Sequence, residues 1–314
     1  MKAIVLKQTG GIENLTIQEI EKPGIHSSEV LIEVKAISVN PVEFKARSND
    51  DILNIVYGEQ RPVILGWDIA GVVVEVGNQA TQFQVGDRVF GLVNFFGAGK
   101  GYAEYVAAPA SHLAKIPENT SFEAAAASTL AALTALQVLQ NKVKKGDQVL
   151  IHAGSGGVGH FAIQIAKSLG AYVTTTSSAK NKAFVLSLGA DQHIDYTTVA
   201  FEEVLSGIDF TLDMFHGDIL LNSIKVMKEG GTIVSLAAPI PSEEIQNLAK
   251  KRNVALDFYM VQSNGNDMNI IKEMLENSTL KPHVSQTFDF TDMAQAHKKL
   301  ESDRTVGKIV VVFN

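Results

Sequence analysis

The stretch Gln148-Val-Leu-Ile-His-Ala-Gly-Ser-Gly-Gly-Val-Gly159 decides the fold. Val149 to Ile151 form an apolar run of the kind that makes a buried parallel strand. Gly154, Gly156 and Gly159 follow in the G-x-G-x-x-G spacing. Phe161, Ile163, Ile165, Ala166 and Leu169 then recur with helical periodicity, and Gly170 stops the helix. Strand, turn and helix together predict a pyrophosphate site. Gly154 permits the tight turn, Gly156 lets the backbone approach the phosphates, and Gly159 lets helix and strand pack closely. The helix N-terminus offers amide hydrogens and a partial positive charge to the anion. The spacing gains its weight from this strand-to-helix context.

Outward from that turn, the chain from Gln148 alternates strands and helices. Strands are expected at 149–153, 172–176, 192–195, 210–214 and 231–236, with a further one at 255–260. Helices are expected at 159–169, 181–188, 198–204 and 219–227. This alternation predicts a parallel sheet covered on both faces, an α/β Rossmann domain. The preceding third reads as short strands punctuated by glycine and proline, at 4–6, 15–20, 29–38, 69–76 and 88–92. Between the two lies the alanine- and leucine-rich stretch 121–139, one or two helices capped by Thr120 or Ser121. In the tail, helices are expected at 267–277 and 292–302. A last strand at 308–313 is expected to rejoin the first domain, because a terminal strand needs a sheet.

Composition narrows the function. Of the 314 residues, 46% are hydrophobic and 19% charged, which supports a buried core and argues against disorder. A net charge of −7 without any dense basic run disfavours nucleic-acid binding. No stretch approaches the ~18 apolar residues of a membrane helix, and the N-terminal apolar run is too short for a signal peptide. The cytoplasm is the default expectation. The chain has no cysteine, so disulfides, thiolate-ligated zinc and thiol catalysis are excluded.

The second strand of a dinucleotide fold ends, in NAD-specific sites, on an acid that binds the ribose 2′-hydroxyl. Here it ends at Thr174-Thr-Thr-Ser-Ser178, with Lys180 and Lys182 beyond, and no acid precedes Asp191. Hydroxyls with ammonium groups nearby suit a 2′-phosphate, so NADPH is favoured over NADH. The bland alternative is a set of solvated turn residues.

Further landmarks are Ser38-Val-Asn-Pro-Val-Glu-Phe-Lys45, Pro62-Val-Ile-Leu-Gly-Trp-Asp-Ile-Ala-Gly71, Val85-Gly-Asp-Arg-Val-Phe-Gly91 and Gly101-Tyr-Ala-Glu-Tyr105. The alanine-rich run Ala124–Ala135, Gly189-Ala-Asp191 and Gly307-Lys-Ile-Val310 complete the series. In this order they make the chain resemble, over nearly its whole length, the zinc-independent quinone oxidoreductases of the medium-chain dehydrogenase/reductase superfamily. The resemblance implies a GroES-like β-rich catalytic domain built from both chain ends, 1–122 and 263–314. A Rossmann NADPH-binding domain, 123–262, interrupts it, and the cofactor lies in the cleft between them. Where zinc-using relatives carry a catalytic cysteine and a His-Glu pair, this chain has Asn40 and Trp67-Asp68, so no metal is expected.

By the same resemblance, Asn40 and Tyr57 are the catalytic candidates on the substrate side. The cofactor contacts fall on Thr134, Gly154, Ser155, Gly156, Gly157, Val158 and Gly159, on Ser177, Ser178, Lys182 and Tyr196 near the 2′-phosphate, and on Leu236. Asn40 before Pro41 reads equally as a turn residue held extended by the proline. Tyr57 also reads as a core or interface aromatic, Thr134 as an ordinary helix position and Tyr196 as packing. Phe95, Phe96 and Trp67 are either flat walls for a planar substrate or core filling. Relatives carry Asp-x-x-Gly-Gly where this chain has Asp213-Met-Phe-His-Gly217; the change either alters the hold on the nicotinamide ribose, brings His216 near the reacting centre or, as expected first, leaves His216 at the surface. His152 is expected to pack at its strand end, and His160 to be either solvated or near phosphate.

The implied activity is metal-free hydride transfer from NADPH to a small-molecule acceptor, a quinone or an α,β-unsaturated carbonyl. The rivals are an NADPH-binding sensor or structural protein with little turnover, and a subunit whose nucleotide only stabilises it. A homodimer paired through the open edge strand 255–260 is expected.

Overall fold

The computed structural model describes residues 1–237, 241–302 and 304–313. Asn314, the last residue of the expected C-terminal return, lies outside them. In chain order the first elements are β1 (Lys2–Leu6), β2 (Leu15–Glu19), β3 (Glu29–Val39), α1 (Pro41–Ser48), α2 (Asp50–Tyr57), β4 (Val63–Ile64), β5 (Asp68–Val76), β6 (Arg88–Leu92), β7 (Tyr105–Pro109), β8 (Leu113–Lys115), α3 (Phe122–Ala127) and α4 (Leu130–Leu139). The alternating region follows as β9 (Gln148–Ile151), α5 (Gly159–Ser168), β10 (Tyr172–Ser177), α6 (Lys182–Ser187), β11 (Gln192–Asp195), α7 (Phe201–Val204), β12 (Ile208–Asp213), α8 (Asp218–Val226), β13 (Met227–Ser235), α9 (Glu243–Lys251) and β14 (Ala255–Phe258). The tail is α10 (Gly265–Glu276), β15 (Val284–Asp289), α11 (Met293–Leu300) and β16 (Lys308–Val312).

These elements form two compact units. One is Met1–Leu133 with Val261–Asn314, the other Thr134–Met260.

In the first unit a sheet runs β15-β16-β3-β5-β6-β8, with β7 also paired to β3, beside a small sheet β2-β1-β4. The final strand pairs antiparallel with β3, as its apolar run requires. Two registers position the site. Ile309 lies opposite Val39, and Ser38 opposite Asp68. Lys308, Asn40 and Asp68 are therefore gathered at one end of β3. The core beneath includes Ile32, Val34, Ile37, Leu65, Ile69 and Val311.

The first third departs from the all-strand expectation at α1 and α2. Asn40 is the N-cap of α1, Pro41 supplies a preset φ, and the Glu43 side chain accepts from the Asn40 amide, forming a capping box. Asn49 caps α2 by accepting from Ile52 N–H. The stretch 121–139 resolves into two helices, with Ser121 accepting from Ala124 N–H.

In the second unit the strand order is β11-β10-β9-β12-β13-β14, and every pairing is parallel. The order reverses at β9, which creates a switch point at the C-terminal strand ends. Leu150, Ile194, Ile208, Ile224 and Ile233 belong to one side of its packing. The expected helix at 198–204 shrinks to a single turn, α7, and α9 is an element that the sequence pattern did not single out.

Candidate functional site

The glycine turn stands where β9 meets α5. A Cβ on Gly154 would overlap Thr175 Oγ1, and one on Gly159 would overlap the Ala153 carbonyl, so both positions are closed to any side chain. A Cβ on Gly156 would meet only Ala153, its oxygen at 3.2 Å, which leaves the outer face of the turn open. Ala153 itself is held at φ 51, a left-handed conformation unusual for alanine. The backbone amides of Ser155, Gly157 and Val158 make no hydrogen bond among the described residues. No side chain caps α5 either. A helix N-terminus with unspent amides and an open approach is a cradle for a diphosphate, and these residues fit a dinucleotide.

The neighbouring strand ends place most of the other expected cofactor residues on the same edge. Ser177 ends β10, buried, with its hydroxyl 2.9 Å from His193 Nε2. Ser178 follows it, half-buried, and Lys182 is exposed. Tyr196 projects to solvent at 64% exposure after β11, with its amide on the Ser177 carbonyl. Leu236, after β13, donates its amide to the Asp213 carbonyl. Thr134 is buried on α4.

Two residues join this group that the sequence reading did not pick. Asn181 Nδ2 donates to Ser155 Oγ at 2.9 Å, fastening the glycine turn to the loop after β10. His193 braces Ser177. An amide and an imidazole near a phosphate-binding turn were the available signals.

The histidines sort themselves out. His152 packs at its strand end, bonded to Thr176 Oγ1 at 3.1 Å and Ser223 Oγ at 2.9 Å. Burial lowers its pKa to about 4. His160 is not solvated: it is fully buried, and its Nδ1 donates to the Gly156 carbonyl at 2.9 Å. His216 is exposed. Asp213, at the end of β12, accepts from Ser235 Oγ at 3.1 Å while its Oδ1 has no hydrogen-bond partner, and burial pushes its pKa up to about 7.

In the first unit Asn40 and Tyr57 have different surroundings. The Asn40 side chain is turned inward: Nδ2 donates to Asp68 Oδ2 at 2.9 Å and to Glu43 Oε1 at 3.3 Å, while Oδ1 accepts from Lys308. An amide with both hydrogens committed to carboxylates has none left for a substrate oxygen. In this arrangement the Asn40 side chain faces the buried carboxylates, and its catalytic role remains a proposal.

Tyr57 is different. Its ring lies on Trp67, with centroids 5.6 Å apart, and its buried hydroxyl has no hydrogen-bond partner of ordinary geometry. The backbone at Gly66 lies near enough to favour the phenolate slightly. Burial first and Glu43 second raise the Tyr57 pKa well above its usual value. Trp67 is fully buried, donates Nε1–H to the Gly97 carbonyl at 2.6 Å and meets Phe95 edge-on. Trp67 is thus core filling that also backs Tyr57, whereas Phe96 is 41% exposed.

The donor set does not fit zinc. An amide stands at position 40, an indole at 67, and both Asp68 oxygens are engaged, by Leu130 N–H at 2.9 Å and by Asn40. The cation beside Asp68 is Lys308, whose Nζ lies 3.8 Å from Oδ2. Among the described residues no three histidine, aspartate or glutamate side chains are grouped for a metal.

The chain is similar over its length to known dehydrogenases and reductases. Residues 26–118 match the alcohol dehydrogenase GroES-like domain, and residues 188–311 the zinc-binding dehydrogenase family. The 2-methylene-furan-3-one reductase of Solanum lycopersicum is 32% identical, over 99% of this chain and 79% of its own. The NADPH-dependent alkenal/one oxidoreductase, chloroplastic, of Arabidopsis thaliana is also 32% identical, with the same coverage of both chains. The solved quinone oxidoreductase from Coxiella burnetii superposes with a TM-score of 0.92 at 34% identity, covering 100% of this chain and 99% of that one.

Proposed function

Because the chain belongs to the quinone oxidoreductase branch of the medium-chain dehydrogenase/reductase superfamily, we propose that it reduces quinones or α,β-unsaturated carbonyls by metal-free hydride transfer. It is an NADPH-dependent oxidoreductase. The observation that carries the reading is the turn at 154–159: two glycines that admit no side chain, an open outer face and unspent amides at the start of α5.

NADPH, when bound, supplies the hydride. The chain supplies the rest. The amides around Ser155 to Val158 hold the diphosphate. Ser177, braced by His193, with Ser178 and Lys182, receives the 2′-phosphate, and Asn181 ties that loop to the turn. Hydride addition to a conjugated acceptor moves negative charge onto oxygen, and a hydrogen-bond donor must meet it there. Tyr57, its ring held against Trp67, is our candidate for this role. Asn40 orders the residues behind it.

The outer strand of the second unit's sheet, β14, pairs only with β13 among the described residues, and its free edge is our proposed homodimer seam. No helix among the described residues is long and apolar enough to cross a membrane. The cytoplasm is the proposed compartment, although a relative is chloroplastic, and cell fractionation decides it. The sensor and structural readings are not favoured, since the relatives bear the names of reductases.

The test is NADPH oxidation over a panel of quinones, enals and enones with a chelator present, together with a fluorescence titration of NADPH and NADH. Turnover unaffected by chelator, with tighter NADPH binding, is expected. No turnover with any acceptor, or equal binding of NADH, overturns the reading.

A further inference from the structure

A cleft of about 680 Å³ opens in the first unit between β8 and the start of α10. Its volume is that of a small-molecule site. A Cβ on Gly265, in the first turn of α10, would overlap the Ser111 carbonyl at 2.6 Å. Helix and strand approach are therefore pressed backbone to backbone, and the cleft does not depend on side chains to hold it open. Phe83 and Leu113 line it as buried apolar residues. Its polar lining includes His112, Lys115, Ser263, Asn264 and Lys272, and among the described residues no carboxylate lines it.

The hydrogen bonds already made decide what is left for an occupant. Asn94 N–H donates to His112 Nδ1 at 3.2 Å, so the neutral imidazole carries its proton on Nε2. Burial lowers the His112 pKa, which favours that neutral form. Its Nε2–H has no acceptor among the described residues. Asn264 Oδ1 accepts from Asn266 N–H at 2.9 Å and Asp267 N–H at 3.3 Å, so the helix end is already capped. The Asn264 Nδ2 hydrogens are unspent. Lys115 is paired with Asp87 at 2.8 Å, whereas Lys272, half-buried, makes no ion pair among the described residues. One ammonium, one imidazole N–H and one carboxamide thus share a cleft without an acceptor. A group that only accepts, a carboxylate or a phosphate, is the match for such a lining.

We propose that this cleft binds a small organic anion, an apolar body with a carboxylate or phosphate head, and that its occupancy firms the loop carrying Phe95. The site does not rest on the roles given above to Tyr57 or to the glycine turn. The firming follows from two residues of the lining. His112 holds Asn94 N–H, and Ser263 Oγ accepts from Phe95 N–H at 2.9 Å. An anion that accepts from His112 Nε2–H makes Nδ1 a better acceptor and strengthens its bond to Asn94, as hydrogen bonds in series do. The Ser263 hydroxyl hydrogen has only the Phe95 carbonyl, at 3.4 Å. An anion that takes this hydrogen strengthens the bond from Phe95 N–H in the same way. The Phe95 ring meets Trp67 edge-on at 5.2 Å, and Trp67 carries Tyr57 on its face. Phe95 is thus the link from the cleft to the aromatic residues of the first unit.

The experiment is isothermal titration of the full chain at about pH 8, where His112 is neutral, with phenyl phosphate, benzoate and the uncharged benzamide. Both anions are expected to bind saturably, and benzamide about tenfold more weakly. Asn264→Asp keeps the cap of α10 but sets a carboxylate in the lining, so it is expected to weaken both anions about tenfold. Lys272→Met is expected to weaken them about fivefold. Gly159→Ala, which closes the glycine turn, is expected to leave their binding as it was. Hydrogen exchange reads the loop without turnover. The amides of Asn94 and Phe95 are expected to exchange about threefold more slowly with phenyl phosphate bound. No saturable heat with either anion, equal binding of benzamide, or full binding by Asn264→Asp overturns the site. Where Asn264→Asp fails to fold, full binding by Lys272→Met overturns it instead. Loss of binding in Gly159→Ala places the anion on the glycine turn and overturns it as well. Unchanged exchange at Asn94 and Phe95 with the anion bound overturns the firming alone.

Discussion

The two units bury their polar groups in opposite ways. In the first, Lys308 lies 3.8 Å from Asp68 and burial raises both Asp68 and Glu43, a rise that the Lys308 charge opposes. In the second, the buried polar groups are neutral. Ser223 spends its hydroxyl hydrogen on the Ile219 carbonyl at 2.8 Å, so it accepts from His152 Nε2–H, and His152 Nδ1 is left to accept from Thr176. Asp213 has no ion-pair partner among the described residues, and burial pushes its pKa up to about 7. The difference teaches that burial raises a carboxyl in both units, and that a base and donors beside it offset the rise only in the first.

The harshest way to break this comparison is Lys308→Met. It leaves Asp68 and Glu43 facing each other with no cation. Removing one partner of a buried pair costs about 3–5 kcal/mol, so chemical denaturation should show a loss of that order. A loss under about 1 kcal/mol would mean that Asp68 is already neutral, and the contrast between the units would vanish.

Gly159→Ala attacks the second unit at its tightest contact. The added Cβ runs into the Ala153 carbonyl, a backbone atom that cannot swing aside. Overpacking of this kind costs about 1–3 kcal/mol, and it falls on the cradle for the diphosphate. NADPH affinity measured by fluorescence should drop at least tenfold, while the first unit's pH response stays as it was.

Acid and alkali sharpen the comparison further. His152, with a folded pKa of about 4 against 6.5 for the free group, makes stability fall as pH drops from about 6.5 toward 4. Glu43 and Asp213 work the other way. Their folded values, about 8 and about 7, exceed the ordinary 4.5 and 3.8. Their stabilising proton is fully bound below the ordinary values and is lost as pH rises through the folded ones. Each contributes on the order of 1 kcal/mol per pH unit across its window. Melting temperatures should therefore decline between about pH 7 and pH 8 in wild type, and less so in Glu43→Gln. Asp213→Asn should flatten only the window below about pH 7. Identical declines in both variants would count against the assignment of the two acids.

Much of the second unit was legible because its signals are local. The strand Val149–Ile151, the glycine spacing and the apolar period of α5 sit within one stretch, so pattern and structure coincide. The first unit was less legible. Its decisive cluster joins residues 40, 43, 68 and 308, and only the registers of β3 with β5 and β16 bring them together. Nothing in the order of residues shows that the Asn40 amide is directed at two carboxylates. One local signal was there to be read: Asn40-Pro41 followed by Glu43 is a capping box with proline at the first helical position, and it announces α1. His193 and Asn181 lie on loops whose folding back onto Ser177 and Ser155 is a tertiary fact.

The smallest effect tests the cofactor edge. Lys182 is exposed, so its pairing with a 2′-phosphate is screened by solvent and worth ~0–1 kcal/mol. Lys182→Ala should weaken NADPH by no more than about fivefold and leave NADH unchanged, and added salt should erase most of the difference. Ser177 differs, being buried and held by His193, so Ser177→Ala should cost more and resist salt. If the lysine variant lost the larger share, discrimination would reside in the exposed ammonium rather than in the buried hydroxyl, and the second unit would rely on charge after all.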